Sequence, residues 1–153
     1  MRITRTTDYE LLTCLNKHIH EIHVTLYPEY FVEYNFETIR ESFKQLVTNE
    51  NLIYLVLEDM GEPLGYACVE INEYPEDAQT KKRKSVFVHD FSIVEGQKRR
   101  GYGSYLMSHI YDIARSKGID LVELSYWAKN EHAESFYNKH GFVNYRKLVY
   151  KKL

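Results

Sequence analysis

One short stretch, QKRRGYGSY at positions 97–105, concentrates residues that could bind a charged ligand. It lies between the extended run VFVHDFSIV and the helical pattern LMSHIYDIARSKG. A turn that opens a helix offers unpaired backbone N–H groups and the positive end of the helix dipole, and glycines let a ligand approach closely. The stretch therefore predicts a site for phosphate or pyrophosphate, with a solvated basic turn as the alternative.

Two known phosphate-binding motifs fail on their spacing. The P-loop requires Lys and then Ser or Thr after its last glycine, whereas Gly103 is followed by Ser104 and Tyr105. The dinucleotide fingerprint requires Gly or Ala three residues after its second glycine, where Leu106 stands. The pattern therefore disfavours a P-loop protein and a hydride-transfer enzyme.

Two segments in register carry a resemblance to a known family. The run VFVHDFSIVEGQKRRGYGSYLM resembles the acyl-CoA-binding motif of the GNAT N-acetyltransferase superfamily, a strand followed by Arg/Gln-x-x-Gly-x-Gly/Ala and a helix. Here Lys98 stands where the family has Arg or Gln, which keeps the charge and loses the planar fork. The segment NEHAESFYNKHGF, at 130–142, resembles the family's pattern of Asn, Ala, Phe-Tyr and Gly-Phe.

The resemblance implies acetyl-CoA as the cosubstrate and a mechanism that needs no metal. The turn would hold the pyrophosphate, the preceding strand would pair its backbone with the pantetheine arm, and one residue at the start of the fourth helix would touch that arm. The implied cofactor-binding residues are Lys98, Arg99, Arg100, Gly101, Tyr102, Gly103 and Ser104, then Phe91, Ile93 and Val94, and finally Asn130. Core packing of the three strand side chains and a capping role for the asparagine are the structural alternatives.

The implied reaction moves an acetyl group to a primary amine by direct attack in a ternary complex. A lysine-type amine, with a reference pKa near ~10.4, needs a base or desolvation to become neutral. His89 precedes the turn, where many relatives carry a carboxylate, and could accept the proton; a structural or surface role is the other interpretation. Asp90 is the poorer candidate, because strand alternation points it to the opposite face.

Tyr137 matches the tyrosine that protonates the departing thiolate in many members of the family. A phenol can donate to a thiolate when the two are hydrogen-bonded. A core aromatic is the alternative for Tyr137, although Phe136 is the better candidate for packing.

The acceptor is unassigned, and an aromatic segment between the first two helices is the candidate wall of its pocket by resemblance. Its aromatic candidates are Tyr27, Tyr30, Phe31 and Tyr34, with Glu29, Glu33 and Glu37 interleaved. Aromatic rings beside carboxylates suit a small cationic amine or a peptide amine, and plain packing explains the rings nearly as well.

A second hypothesis is a non-catalytic module that binds or senses acyl-CoA, motivated by the lysine at position 98 and the two interpretations of His89. Three further histidines, His18, His20 and His23, lack the i, i+4 spacing of a zinc helix and are interpreted as surface or partly buried residues. The non-catalytic module and the enzyme would both bind acyl-CoA at the same site.

The periodicities and the resemblance together predict an α/β fold of GNAT type, with a central mixed sheet of about six to seven strands flanked by about four helices. The strand-helix-strand unit at 85–127 favours a parallel, right-handed pairing. Helices are predicted from Asp8 to about Tyr27, from Glu37 to Val47, from about Tyr102 to Lys117 and from Asn130 to about Lys139. Strands are predicted at 2–6, 51–57, 64–71, 85–94, 119–127 and 142–151.

Composition sets the outer limits. The 153 residues predict one domain over 1–153, and 44% hydrophobic with 27% charged residues is ordinary for a globular protein. A formal net charge of −2 argues against a general nucleic-acid binder, and no apolar run is long enough to predict a membrane span. The absence of an apolar leader predicts a cytoplasmic location. Homodimers are common among the resembling proteins, and no sequence feature locates an interface.

Overall fold

The apolar strand patterns form one mixed sheet in the order β1-β2-β3-β4-β5, seen in a computed structural model that describes residues 1–153. The first four strands pair antiparallel, and β5 pairs parallel with β4, as the strand-helix-strand unit predicts. The strands are β1 (Arg2–Arg5), β2 (Leu52–Asp59), β3 (Glu62–Tyr74), β4 (Arg83–Ile93) and β5 (Val122–Leu124).

Four helices cover the sheet, two on each face, which confirms the predicted number. They are α1 (Tyr9–Leu26), α2 (Phe36–Leu46), α3 (Tyr102–Ser116) and α4 (Glu131–Lys139). Each of α1, α2 and α4 begins at a residue whose side chain accepts a hydrogen bond from a backbone N–H in the first turn. These capping residues are Asp8, Asn35 and Asn130.

Two apolar clusters hold the helices on the sheet. Under α3 and α4, twelve buried residues form one cluster, in which Val86 and Val88 of β4 meet Leu106 and Ile110 of α3. Under α1 and α2, seven buried residues form the other, centred on Tyr66, which is fully buried. The sheet therefore has a covered core on both faces, and a residue of β4 can be assigned to one face by the cluster it contacts.

The sheet has five strands, fewer than the six to seven predicted, because the segment at 142–151 forms no strand. β5 is also only three residues long, shorter than the predicted 119–127. After Phe142, whose N–H donates to the Tyr137 carbonyl, no backbone group of this segment makes a hydrogen bond within the chain. A strand requires a partner edge, and a three-residue β5 offers too few ladder bonds to hold one.

No helix is both long enough and apolar enough to cross a membrane.

Gly65 lets β3 and the end of β4 approach each other closely. A Cβ at this position would lie 2.5 Å from the Ser92 carbonyl oxygen and 2.6 Å from the Ile93 Cδ1 atom. Gly65→Ala should therefore lower the free energy of unfolding by about 1–3 kcal/mol, the range of core overpacking, as measured by urea denaturation. An unchanged midpoint would show that β4 can move away without cost.

Candidate active site

The basic turn before α3 presents a row of unpaired backbone donors. α3 alone among the four helices lacks a side-chain N-cap, because Gly101 precedes it. The N–H groups of residues 98–104 donate to no group of the chain; the first bonded N–H is that of Tyr105, which donates to the Gly101 carbonyl at 2.9 Å. Together with the positive end of the helix dipole, these free donors make the turn a candidate site for an anion.

The conformation of the turn is left-handed at two alternate positions, Arg99 with φ 65° and Gly101 with φ 85°. A non-glycine residue in this region is uncommon and costs roughly 1–2 kcal/mol. Strain of this kind persists only where the surrounding structure holds it, and it is found at ligand-binding loops. The turn therefore keeps its backbone N–H groups free in a strained conformation, which lowers local stability.

Three neighbours fix the start of α3. The Tyr102 hydroxyl donates to the Asp59 carboxylate at 2.9 Å, which raises the pKa of Tyr102. The N-terminal ammonium, which also donates to Asp59, and then the Tyr102 hydroxyl lower the pKa of Asp59. The Phe136 ring lies against Gly103, where a Cβ would be 3.1 Å from the ring. The Ser104 Oγ and His140 Nε2 atoms are 3.1 Å apart. The side chain of Tyr102 is therefore structural, whereas its backbone N–H stays free.

A gap opens between β4 and β5 immediately before the turn. The two strands pair only at Val86–Val122, Phe87–Glu123 and Val88–Leu124, while β4 continues to Ile93. The Val94 N–H donates to the Leu64 carbonyl on the β3 side, so by alternation the backbone groups of Phe91 and Ile93 face the gap. An extended amide chain could pair with these two residues, whereas both backbone groups of Val94 are already hydrogen-bonded.

Tyr137 of α4 packs in the same core as Phe91 and Ile93. The residue is only 8% exposed, and its ring centroid lies 5.6 Å from that of Tyr126, which follows β5. Burial, with a further contribution from the Asp90 carboxylate, raises the pKa of Tyr137 to about 12. The hydroxyl has no hydrogen-bond partner in the chain and is not fully occluded. It is therefore protonated at neutral pH and free to donate.

A β-bulge in β4 changes the direction in which the side chains of His89 and Asp90, the two candidate bases, point relative to each other. Cys68 pairs with Asp90 and Val69 with Val88, so His89 is an extra residue in β4. The prediction that His89 and Asp90 point to opposite faces is wrong, because the bulge interrupts alternation. His89 reaches Glu70, and Asp90 lies opposite Cys68, on the same face of β3.

His89 forms a close pair with Glu70. The distance from His89 Nε2 to Glu70 Oε2 is 2.7 Å, and both side chains remain partly exposed. A carboxylate at this distance fixes the orientation of the imidazole ring.

Asp90 is a half-buried carboxyl without a hydrogen-bond partner. Desolvation raises its pKa, and the nearby His89 opposes that effect. Burial is the main cause of the raised pKa values of Tyr66 and Cys68 on the α1 side and of Tyr137 in α4, and the Asp90 charge adds to each of them. Asp90 is therefore coupled electrostatically both to its neighbour His89 and to Tyr137 on a different element.

The predicted acceptor residues join an aromatic cluster formed by His23, Tyr27, Tyr30, Phe31 and Trp127. The ring centroids of Tyr27 and Phe31 lie 4.7 Å and 5.1 Å from that of Trp127. The Tyr27 hydroxyl accepts from the Lys129 N–H at 2.9 Å and is buried, whereas Tyr30 and Trp127 are 53% and 39% exposed.

Tyr34 lies beside this cluster, and its hydroxyl donates to the Thr13 carbonyl at 3.0 Å. Among the three histidines of α1, His20 contacts the Val32 carbonyl, His23 stacks on Phe31, and His18 lies near Lys98 and Glu95. They do not converge on one point. Asn130 caps α4 through a 3.1 Å bond from the Ala133 N–H, as its structural alternative predicts.

Sequence analysis missed two residues of the site, Glu70 and Trp127. Glu70 lies nineteen positions before His89, and only the antiparallel register brings them together. Trp127 was predicted only as the end of a strand. As the single tryptophan of the chain it was notable in the composition, but its position in the sequence gave no indication of its neighbours in the fold.

Comparison with known proteins gives a consistent result. Residues 17–142 match the model of the Acetyltransferase (GNAT) family. An uncharacterized N-acetyltransferase of Methanocaldococcus jannaschii is 27% identical over 100 residues, which are 65% of this chain and 43% of that protein. An uncharacterized N-acetyltransferase of Bacillus subtilis is 30% identical over 83 residues, 54% of this chain and 51% of that protein. The chain thus spans about half the length of these relatives.

Solved structures share the fold over the whole chain. A tetramutant of a Bacillus halodurans protein superposes with a TM-score of 0.93 at 24% identity, covering 100% of both chains. An aminoglycoside 6′-N-acetyltransferase of Acinetobacter haemolyticus superposes with a TM-score of 0.72 at 13% identity, covering 100% of this chain and 98% of that one. At these identities the likeness concerns the fold alone.

Asp90→Asn should stabilise the folded protein at neutral pH. A carboxyl whose pKa is raised by folding favours the folded state only while it is protonated, and this stability is lost as the pH rises through the raised pKa. The amide stays neutral, so thermal unfolding midpoints of variant and natural protein should agree near pH 4 and diverge, in favour of the variant, toward pH 8. Asp112→Asn, at an exposed position of α3, is the control. Equal midpoints at every pH would mean that the Asp90 charge is solvated.

Proposed function

The chain belongs to the GNAT acetyltransferase family, and from this premise we propose that it transfers an acetyl group from acetyl-CoA to a primary amine by direct attack in a ternary complex. The observation that carries the proposal is the row of free N–H groups at 98–104, placed at the end of the β4–β5 gap. A pyrophosphate linked to an extended amide chain matches this arrangement in charge and in shape.

The cofactor is assigned to the turn and to the exposed edge of β4. The pyrophosphate accepts from the N–H groups of residues 98–104, and Lys98, Arg99 and Arg100 add positive charge around it. Arg100 is oriented by Gln97, whose side-chain oxygen accepts from Arg100 Nη1 at 2.8 Å. The pantetheine amides pair with the backbone of Phe91 and Ile93 across the gap, and Asn130 lies at the start of α4 nearby.

Acetyl transfer requires that the amine lose a proton and that the CoA thiolate leave the thioester carbon. We assign the acceptance of the amine proton to His89, with Glu70 as the positioning residue that holds the imidazole and balances its charge. The nitrogen lone pair then attacks the thioester carbonyl carbon, and the C–S bond breaks as the amide forms. The attacking nitrogen gives up its second proton to solvent, and the departing sulfur takes a proton from solvent, so the products are the N-acetylated amine and CoA as its free thiol.

Tyr137 is assigned to the departing sulfur. With a pKa of about 12, its phenol is a weaker acid than a thiol near ~8.5, so complete proton transfer to the thiolate is unfavourable. A hydrogen bond from the phenol still stabilises the charge that develops on sulfur, and it does so in a buried setting where such bonds are strong. Its role is therefore chiefly that of a donor to the leaving group.

The acceptor pocket is assigned to the aromatic cluster together with Tyr34. Tyr30 and Trp127 have exposed ring surface, while Tyr27, Phe31 and Tyr34 support them. Ring faces attract a cation, and the carboxylates of the same segment, among them Glu29 and Glu33, add to the attraction. A small cationic amine or a peptide amine fits this chemistry.

The test is release of free thiol from acetyl-CoA with a panel of polyamines, aminoglycosides, amino acid derivatives and peptide amines. Turnover on at least one amine supports an enzyme. Calorimetric binding of CoA without turnover on any amine, protein amines included, would support the non-catalytic module instead. Failure to bind CoA would contradict both.

Gly101→Ala should weaken CoA binding beyond its effect on stability. Gly101 and Gly61 have φ values of 85° and 84°, and neither has a heavy atom near an added Cβ. Both alanine variants should thus lose about 1–2 kcal/mol of stability from backbone strain alone. Only Gly101→Ala rearranges the donor row, so titration calorimetry should show about tenfold weaker CoA binding for it and unchanged binding for Gly61→Ala. Equal affinities would remove the backbone row from the CoA site.

Tyr137→Phe should lower kcat by about 100-fold, the loss seen when one donor to a developing charge is removed. The buried ring is retained, so the dissociation constant of CoA and the unfolding midpoint should change little. Tyr126→Phe is the matched control, since its half-buried ring lies next to Tyr137 and no role is assigned to its hydroxyl. An unchanged kcat in Tyr137→Phe would exclude the donor role.

A further inference from the structure

His140, at the end of α4, lies beside the last of the free backbone donors at the start of α3. Its Nε2 atom is 3.1 Å from the Ser104 Oγ atom, and the N–H of Ser104 is the last free donor of the row. The Phe136 ring holds this arrangement, because its centroid lies 4.5 Å from that of the His140 ring and the same ring lies against Gly103. The imidazole therefore stands next to the position assigned to the pyrophosphate.

The imidazole of His140 is neutral in the free protein at neutral pH. Burial, and then the neighbouring Lys139 ammonium, lower the pKa of His140 below its usual range. Lys139 is the one charged group that contributes to this shift; α3 presents only the uncharged Ser104 hydroxyl, and no carboxylate forms an ion pair with the ring. An imidazolium at this position thus lacks a counter-ion until an anion binds.

The protonation state of His140 decides what the Ser104 hydroxyl can do. When Nε2 is unprotonated, its lone pair accepts a hydrogen bond from the Ser104 hydroxyl, which is then unavailable to a ligand. When Nε2 takes a proton from solvent, the imidazole becomes a donor and the hydroxyl is released to donate elsewhere. One proton therefore adds two side-chain donors and one positive charge beside the free N–H of Ser104.

We propose that His140 takes up a proton when CoA binds and, together with the Ser104 hydroxyl, donates to the pyrophosphate at the start of α3. The proposal rests on the CoA site assigned above. It adds a cofactor-binding residue that is not among the Asn, Ala, Phe-Tyr and Gly-Phe positions of the resembling segment at 130–142.

The electrostatics of the two helix ends support proton uptake on binding. His140 is the C-cap residue of α4, where the negative end of the helix dipole favours a cation. An opposite charge within about 4–6 Å moves a pKa by about 1–3 toward the charged form, so a pyrophosphate can reverse the effects of burial and of Lys139. Because the ligand then favours the protonated imidazole, affinity is highest at low pH and falls as the pH rises through the pKa of the complex.

The test is titration calorimetry with dephospho-CoA, which keeps the pyrophosphate and lacks the 3′-phosphate, a group that would itself titrate near pH ~6. Titrations at pH 7 in buffers of different ionisation enthalpy give the number of protons taken up. The natural protein should take up about 0.5 proton or more per ligand, as expected for a histidine pKa raised by about one or more. The dissociation constant should rise about tenfold or more between pH 6 and pH 9.

His140→Gln keeps a hydrogen-bond donor and removes the titration. This variant should take up no proton, and its dissociation constant should not change with pH. His132→Gln, at an exposed position in the first turn of α4, is the matched control and should keep the full uptake. NMR of the natural protein gives a measurement that needs no variant: the imidazole with nuclear Overhauser contacts to the Phe136 ring should show a pKa higher by about one or more with dephospho-CoA bound.

His18 is the rival source of a proton, because it lies near Lys98 of the turn. Uptake that is lost in His18→Gln and kept in His140→Gln would overturn the assignment, as would binding without uptake or a failure to bind dephospho-CoA. Acetyl transfer without proton-coupled binding would contradict this inference alone. Proton-coupled binding without turnover on any amine would instead contradict the proposed enzymatic function.

Discussion

The separation of β4 from β5 after three residue pairs is the constraint on which the rest of the structure depends. Backbone N–H and C=O groups need partners, and in a continuous sheet Phe91 and Ile93 would find them in β5. Because β5 diverges, these groups face a gap, and the turn at its end adds a further row of free donors. A ligand with an anionic and an amide-rich part can pair with both.

The bulge at His89 arises from a single extra residue in β4, but it affects the arrangement of several polar residues. One extra residue in β4 brings two consecutive polar residues to one face, where Glu70 pairs with the first and desolvation acts on the second. The same face is covered by α1, whose Asn16 donates to the buried Tyr66 hydroxyl. A charged carboxyl without a partner in this setting reduces stability, as is common where a site needs a reactive group.

The absence of a sixth strand follows from the shortness of β5. A segment with alternating apolar and basic residues can become a strand only where an edge of matching length receives it. Its own domain offers three residues, and the apolar surface of residues 143–153 stays exposed. A strand pattern in the sequence therefore indicates a capacity to pair, and pairing occurs only where an edge of sufficient length is available.

The sequence by itself determined what depends on short-range chemistry. Asp8 and Asn130 predicted helix starts because their side chains cap the nearest turn, and Gly101 to Ser104 predicted a donor row because a glycine start provides no cap. Periodicity predicted four helices and a mixed sheet. Only the tertiary structure decided that Glu70 reaches His89, that Asp90 shares its face, that Trp127 joins Tyr27 and Phe31, and that residues 142–151 form no strand. Each of these depends on the register between distant strands or on the length of a neighbouring edge, and neither is encoded in local spacing.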